Sequence, residues 1–451
     1  MVASLAFTIG SARAPPYAPH RPESTALYRT VADHFDALVD HVREHYEKPL
    51  PRYVTREIER YRQCGTFANG FVRCHCDACG NDVLVAFSCK NRGICPSCAA
   101  RRMCNTAAHL ADRVIPDVPV RQWVLSLPFE LRRVAAFRAD VLRAIAKIFY
   151  EAIAAHYARS SAIANAAAGA VTFVQRFGGS INLNPHLHVV ALDGVFTFDG
   201  GLRFHPAGTP THDDLCAVVR RAHDRIIRWL GRRKLIDDDS EDDAKASDPT
   251  PIEACANAAM KSGTFGTAAD DDNREADERA IARLGGRMAA AHNGFDLHAG
   301  VRIAAGDYEG RERLVRYGLR PCFALERLSL LPDGRVAYRV KAPRSRRATH
   351  RIMEPVEFLA RLCALIPPPR YPPVRYHGVF APNHPRRREV IPRPPVPAAN
   401  CPAQNTKADP AAATGWLPGM RKKAKSTADR DRALPVLGPP PAPDRVAPAG
   451  A

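Results

Sequence analysis

Eight of the chain's 13 cysteines fall between Cys64 and Cys104, and four of them form two Cys-x2-Cys pairs, Cys76/Cys79 and Cys95/Cys98. Each such turn can aim two thiolates at one ion, and the stretch between the pairs is long enough for a short hairpin that returns the second pair. The spacing is that of a tetrahedral structural Zn2+ site. A disulfide scaffold is the competing reading, but it belongs to small secreted domains and nothing here marks secretion. Cys64, Cys74, His75, Cys89 and Cys104 compete for a place near the ion, which leaves a shifted ligand set or a second ion open.

A chain of 451 residues exceeds what one core usually supports, so two or three domains are expected. The formal charge is +18, and arginines crowd the cysteine region at Arg92, Arg101 and Arg102. Such a balance implies a polyanionic partner, with nucleic acid ahead of membrane. No apolar run approaches the roughly 18 residues of a spanning helix, which argues against a membrane protein. Met1 to Pro19 lacks a basic start followed by an apolar block, so no signal peptide is expected, and reduced, metal-binding thiols point to the cytoplasm.

Leu27, Val31, Phe35, Leu38 and Val42 recur at helical spacing, and a second helix around Tyr53 to Arg60 leads into the cysteines. After them, Arg121 to Leu127 predicts a buried strand stopped by Pro128, followed by a long helical run from Leu131 to about Ala164. Val171 to Phe177 and His186 to Leu192 predict adjacent strands, Val195 to Phe198 and Leu202 to Phe204 a further pair, and the turns between them an antiparallel sheet. A helix is expected from Asp213 to Leu230, a hairpin over Leu325 to Val340, and a helix from Pro355 to Leu365. The acidic stretch 237–277 reads as a disordered insertion, residues 1–25 as a disordered arm, and 393–451 as a disordered, proline-rich tail. The fold class expected is therefore α+β: a helical, zinc-ribbon-like module over 26–115, then a domain over 120–392 with a central antiparallel sheet and flanking helices.

Two further features carry chemistry. In His186-Leu187-His188, residues i and i+2 of a strand face one side, so both imidazoles can reach one divalent ion while Leu187 enters the core. Gln175 on the neighbouring strand is the best-placed third ligand, with Asn182, Asn184 and Asp193 behind it. Both histidines could instead simply hydrogen-bond at a sheet surface. Tyr317 lies near a helix end between Arg316 and Arg320, which would stabilise both a phenolate and an incoming phosphate; alone, it reads equally as a core tyrosine.

Taken in order, the segments FSCKNRGICPSCAARR, RQWVLSLP, QRFGGSINLNPHLHVVALDGVF, RYGLRPCFALERL, EPVEFLARLCALIPPPR and RYHGVFAPN resemble the transposases of bacterial rolling-circle insertion sequences typified by the IS91 family. The resemblance implies an N-terminal zinc-binding module and an HUH endonuclease domain. It implies His186 and His188 as ligands of a catalytic Mg2+ or Mn2+, Gln175 as the candidate third, and Tyr317 as the nucleophile that leaves a 5′-phosphotyrosine and a free 3′-hydroxyl. Single-stranded element ends and target DNA would be the partners, with Arg101, Arg102, Arg316 and Arg320 on phosphate and a nucleoid setting; self-association stays open. Tyr308 lies nine residues before Tyr317, neither i+3 nor i+4, so one nucleophile is expected. Cys322 stands where the family has a second proline. A replication initiator or relaxase of the same chemistry, and a non-catalytic zinc DNA-binding protein, are the competing functions.

Overall fold

The computed structural model describes residues 21–76, 80–236, 249–260, 288–340, 349–392 and the backbone of 420–423. These fall into two compact units, 65–87 with 420–423, and the remainder. Residues 1–20 of the expected arm, the tail apart from 420–423, and most of the acidic stretch lie outside the described residues. The last residues of the arm do not follow the expectation of disorder, since Pro22–Ser24 forms a helical turn with Pro22 buried.

Helix α1 (Ala26–His45) is capped by Thr25, whose hydroxyl accepts from the Tyr28 N–H at 3.2 Å. Its predicted stripe from Leu27 to Val42 is buried. Helix α2 (Arg52–Arg62) follows, then an antiparallel hairpin of β1 (Phe71–Cys76) and β2 (Asp82–Ala86), then α3 (Pro96–Arg113), where proline's fixed φ suits the first helical position. Strand β3 (Val120–Ser126) precedes α4 (Phe129–Phe137) and α5 (Ala139–Ser161). The expected single helical run is thus two helices. Arg138 is extended at the break and its guanidinium pairs with Asp140 at 2.8 Å, which fixes the bend.

Strands β4 (Gly169–Phe177), β5 (Leu183–Leu192), β6 (Gly194–Thr197) and β7 (Arg203–Pro206) lead to α6 (His212–Gly231), which starts on a reciprocal Thr211/Asp214 capping box. Helix α7 (Pro251–Met260) is a correction to the reading of 237–277 as unstructured throughout. Cys255, Ala256, Ala259 and Met260 are buried on it, a short apolar stretch that the acidic average of the span conceals. Next come β8 (Ala289–His292), β9 (Phe295–Ile303), α8 (Tyr308–Gly318), β10 (Leu328–Leu330), β11 (Val336–Arg339), β12 (His350–Met353), α9 (Pro355–Leu365) and β13 (Val374–Gly378). The backbone of β14 (Met420–Lys423) pairs antiparallel with β1.

The protein is α+β, and its central sheet is antiparallel, six-stranded, in the order β13-β4-β5-β3-β9-β8. Alternation along the strands splits their side chains between two cores. Trp123, Leu125, Leu187 and Val189 pack against Leu142 and Phe149 of α5 and Ile226 of α6. From the opposite face, Val171, Phe173 and Val190 pack with Leu110 of α3 and Leu314 and Val315 of α8. A third core joins α1, α2, α7 and α9 through Phe35, Ile58, Ala256 and Phe358. At the end of β5, the fully buried Asp193 accepts from Arg121 Nε at 2.8 Å, Arg302 Nε at 2.7 Å and the Tyr157 hydroxyl at 3.0 Å, so its charge is neutralised inside the fold. Among the described residues no helix is long and apolar enough to cross a membrane.

Candidate functional site

The sulfurs of Cys64, Cys89, Cys95 and Cys98 converge. Cys64 lies 3.6 Å from Cys95 and 3.8 Å from Cys98, and Cys89 lies 3.5 Å from Cys98. Local backbone builds the cluster. Cys95 caps α3 and Cys98 sits in its first turn. A bond from the Gly65 N–H to the Phe87 carbonyl, at 2.9 Å, closes the chain excursion between Cys64 and Cys89. The Cys89 and Asn91 N–H groups donate to the sulfurs of Cys64 and Cys89 at 3.3 and 3.4 Å, as thiolates on a metal require. Hydrogen bonding to the Cys64 sulfur raises the thiols of Cys89 and Cys95, while donation from Cys64, Cys89 and Cys95 holds Cys98 down. Without a cation the four sulfurs cannot all be thiolates at this spacing; a bound Zn2+ would let them be, and an all-sulfur quartet fits structural Zn2+ with no open position.

The pair Cys95/Cys98 is the one predicted from its spacing, but its partners here are Cys64 and Cys89. Those two are separated by a hairpin instead of forming a Cys-x2-Cys turn, so spacing could only leave them among several competitors. Cys79 and the side chain of Cys76 lie outside the described residues, and the quartet has its four ligands without them.

On β5, His186 and His188 face α8 while Leu187 enters the opposite core, and the two imidazoles stand 4.9 Å apart. His186 Nδ1 lies 2.8 Å from the Asn184 carbonyl, which can only accept. The ring proton is therefore on Nδ1, and Nε2 keeps its lone pair. The Gln122 side-chain nitrogen lies 3.1 Å from His188 Nδ1, and His188 Nε2 is buried without a hydrogen-bond partner. For Nε2 to offer a lone pair the ring proton must sit on Nδ1, which requires the Gln122 carboxamide to present its oxygen there. Burial pushes His186 down to about 4 and His188 well below the usual imidazole range, so both are neutral, as metal ligands must be. Gln122 was not singled out from sequence, because its position one strand away in β3 is fixed only by the sheet register.

Tyr317 is the penultimate residue of α8, is 41% exposed, and presents its ring edge-on to His188 at 5.4 Å. Gly318 makes this approach possible, since a Cβ there would stand 2.7 Å from the Phe173 ring of β4. Gln175 lies opposite His186 in the β4–β5 register. Its amide nitrogen donates to the carbonyls of Tyr317 (2.7 Å) and Gly318 (3.2 Å), and its oxygen accepts from Arg320 Nε at 3.2 Å. Both ends of the amide expected to bind metal are thus engaged, the nitrogen with the end of α8 and the oxygen with Arg320 just past it. Asn182 and Asn184 are buried near the start of β5, and Asp193 belongs to the arginine network at its other end.

The Arg320 guanidinium lies 5.0 Å from the Tyr317 ring centre and 5.2 Å from that of Phe177. Arg316 pairs with Glu312 at 2.7 Å, Arg101 is exposed, and Arg102 donates to the Lys90 carbonyl at 2.7 Å. Tyr308, at the other end of α8, gives its hydroxyl to Asp112 at 2.6 Å. About 13 Å of helix rise separates it from Tyr317, so it stands away from the histidines.

A family model described as "Putative transposase" matches residues 169–388, and one described as an IS91-type "Transposase zinc-binding domain" matches residues 31–127. The first span contains His186, His188 and Tyr317, and the second contains the whole cysteine quartet. No curated protein and no solved structure matches the chain.

Proposed function

The chain belongs to the IS91 family of transposases, with an N-terminal zinc-binding domain, and from that premise we propose that it cuts and rejoins one strand of DNA through Tyr317. The observation that carries this reading is the edge-on placement of Tyr317 against His188, beside a second imidazole with a free Nε2. An exposed phenol over a pair of neutral histidines is the equipment of phosphoryl transfer to tyrosine.

The orphaned Nε2 of His188 and the lone pair on His186 Nε2 fit a divalent cation. Mg2+ or Mn2+ held there would supply Lewis-acid polarisation of the scissile phosphate. Tyr317 Oη attacks phosphorus as its proton leaves. The bond from phosphorus to the 3′ oxygen breaks, and that oxygen takes up a proton as a free 3′-hydroxyl. The product is a 5′-phosphotyrosine that conserves the bond for transfer to a second strand. Arg320, stacked on the Tyr317 ring, offers its guanidinium to the phosphate and to the developing phenolate. Gln175 and Gly318 hold the end of α8 in place. The zinc quartet is structural and takes no part in the transfer.

The test incubates the purified chain and Mg2+ or Mn2+ with labelled single-stranded oligonucleotides from the flanks of its gene and looks for a denaturant-resistant protein–DNA adduct. The reading expects an adduct that is absent in Tyr317→Phe and in His186→Ala/His188→Ala. An adduct that persists in Tyr317→Phe would sink it.

A further inference from the structure

Immediately past Tyr317, the chain from Gly318 to Cys322 forms one wall of a cleft of about 110 Å³. The lining also includes Arg92, Ala99, Arg102 and Met103 of the cysteine knuckle and the first part of α3, and the apolar Val174, Phe177 and Tyr371. Gln175 lines the cleft and also holds the Tyr317 carbonyl, so cleft and nucleophile share one support.

Four arginines line this cleft; Arg176 donates to the Ala136 and Ala364 carbonyls, and among the described residues none of Arg92, Arg102 and Arg320 has a carboxylate within ion-pair distance. Burial disfavours the charge on Arg102 and the nearby Arg92 adds to this, while Cys98 and Glu57 offset part of it; an anion bound beside Arg102 would favour its charged form further. The nearest acid, Glu57, is committed elsewhere, since its Oε1 accepts from the Gly93 and Ile94 N–H groups at 2.6 and 3.4 Å and so shapes the knuckle. An apolar slot beside a proposed phosphoryl-transfer tyrosine, edged by guanidinium groups that have no carboxylate partner, has the chemistry that receives a nucleotide. Apolar and aromatic walls take the base, and arginines take the phosphates that flank it.

We propose that this cleft binds one unpaired base of the DNA strand next to the phosphate attacked by Tyr317, with Arg92 and Arg102 on the adjoining backbone. The inference rests on the reading of a single DNA strand as the substrate. It gives the zinc quartet a definite task. By fixing the knuckle and the first turn of α3, the ion sets one wall of the base site and couples strand recognition to the catalytic sheet.

The experiment uses the full-length Tyr317→Phe chain, which cannot cleave, and compares its affinity for a labelled oligothymidylate with that for an abasic strand of equal length and charge. The oligothymidylate is expected to bind roughly tenfold tighter, the scale of one stacked base. Ala99→Leu, which fills the slot, should remove that advantage while zinc content and thermal unfolding stay unchanged. Ala99→Val serves the same purpose if leucine disturbs α3. Arg92→Gln/Arg102→Gln should lower the salt dependence of both strands by about two in log–log slope. Equal binding of the two strands overturns the proposal, as does an advantage that survives filling. An effect of filling on self-association alone would also overturn it and assign the cleft to a second copy. Adduct formation by the Tyr317 chain is scored separately. Its loss with the base preference intact sinks only the nicking reading, and its retention without a base preference sinks only the cleft.

Discussion

The side-chain nitrogen of Gln175 donates to the main-chain carbonyl of Tyr317 at 2.7 Å. Carbonyls at a helix C-terminus lack partners within the helix, and here a buried amide from the central sheet takes two of them. The bond ties the strand opposite His186 to Tyr317, the proposed nucleophile. It also gives Gln175 a role different from the one its sequence position suggested.

Gln175→Glu separates the two roles. A carboxylate has no N–H to offer and would face the Tyr317 and Gly318 carbonyls, which should cost about 1–3 kcal/mol in urea unfolding and lower adduct yield. Divalent-ion affinity, followed by Mn2+ titration, should not rise. A tighter Mn2+ site with unchanged stability would restore Gln175 as a metal ligand.

Gly318→Ala tests the close approach of α8 to β4. Its Cβ would meet the Phe173 ring at 2.7 Å, and a ring packed in the core cannot swing aside as a flexible chain end does. The expected loss is about 1–3 kcal/mol, with a larger relative loss of adduct formation because Tyr317 moves with the helix end. Phe173→Leu in the same chain should recover part of both, and no recovery would mean that the clash is not the cause.

Cys64→Ser should lower bound zinc by one ion per chain and destabilise the N-terminal region, because Cys64 sits 3.6 Å from Cys95 within the quartet. Cys76→Ser should leave that ion in place. Metal analysis of the purified variants decides, and the reverse pattern would return the site to the two Cys-x2-Cys pairs.

Local patterns were legible in the sequence to the extent that their physics is local. The stripe of α1, the apolar run of β5 and the proline-started α9 follow from local pattern alone, and each was found within a few residues. His186 and His188 on one face follow from the same two-residue period. What was hidden depends on register or on chain excursions. Gln122 reaches His188 only because β3 pairs with β5, and Cys64 meets Cys89 only because a hairpin closes between them. Helix α7 was lost in the acidic average around it. The engagement of Gln175 required knowing where α8 ends.

Acid should destabilise the fold through buried histidines that must stay neutral, and His377 is the clearest case away from the metal ligands. Its ring stacks on Tyr150 at 4.8 Å, its Nε2 lies 3.0 Å from the Thr172 hydroxyl, and burial, aided by Arg375, pushes it down to about 4. In the unfolded chain it titrates near its ordinary value of about 6.5, so between those values the unfolded state binds the extra proton. Its contribution is therefore fully present above about pH 6.5 and is lost as pH falls toward 4, by on the order of 3 kcal/mol. His156, lowered by burial beside Trp123, adds in the same direction. Urea unfolding of His377→Gln at a series of pH values should give a lower stability at pH 8 but a shallower decline below pH 6.5 than the parent chain. Parallel declines in the two proteins would show that His377 does not carry the acid sensitivity.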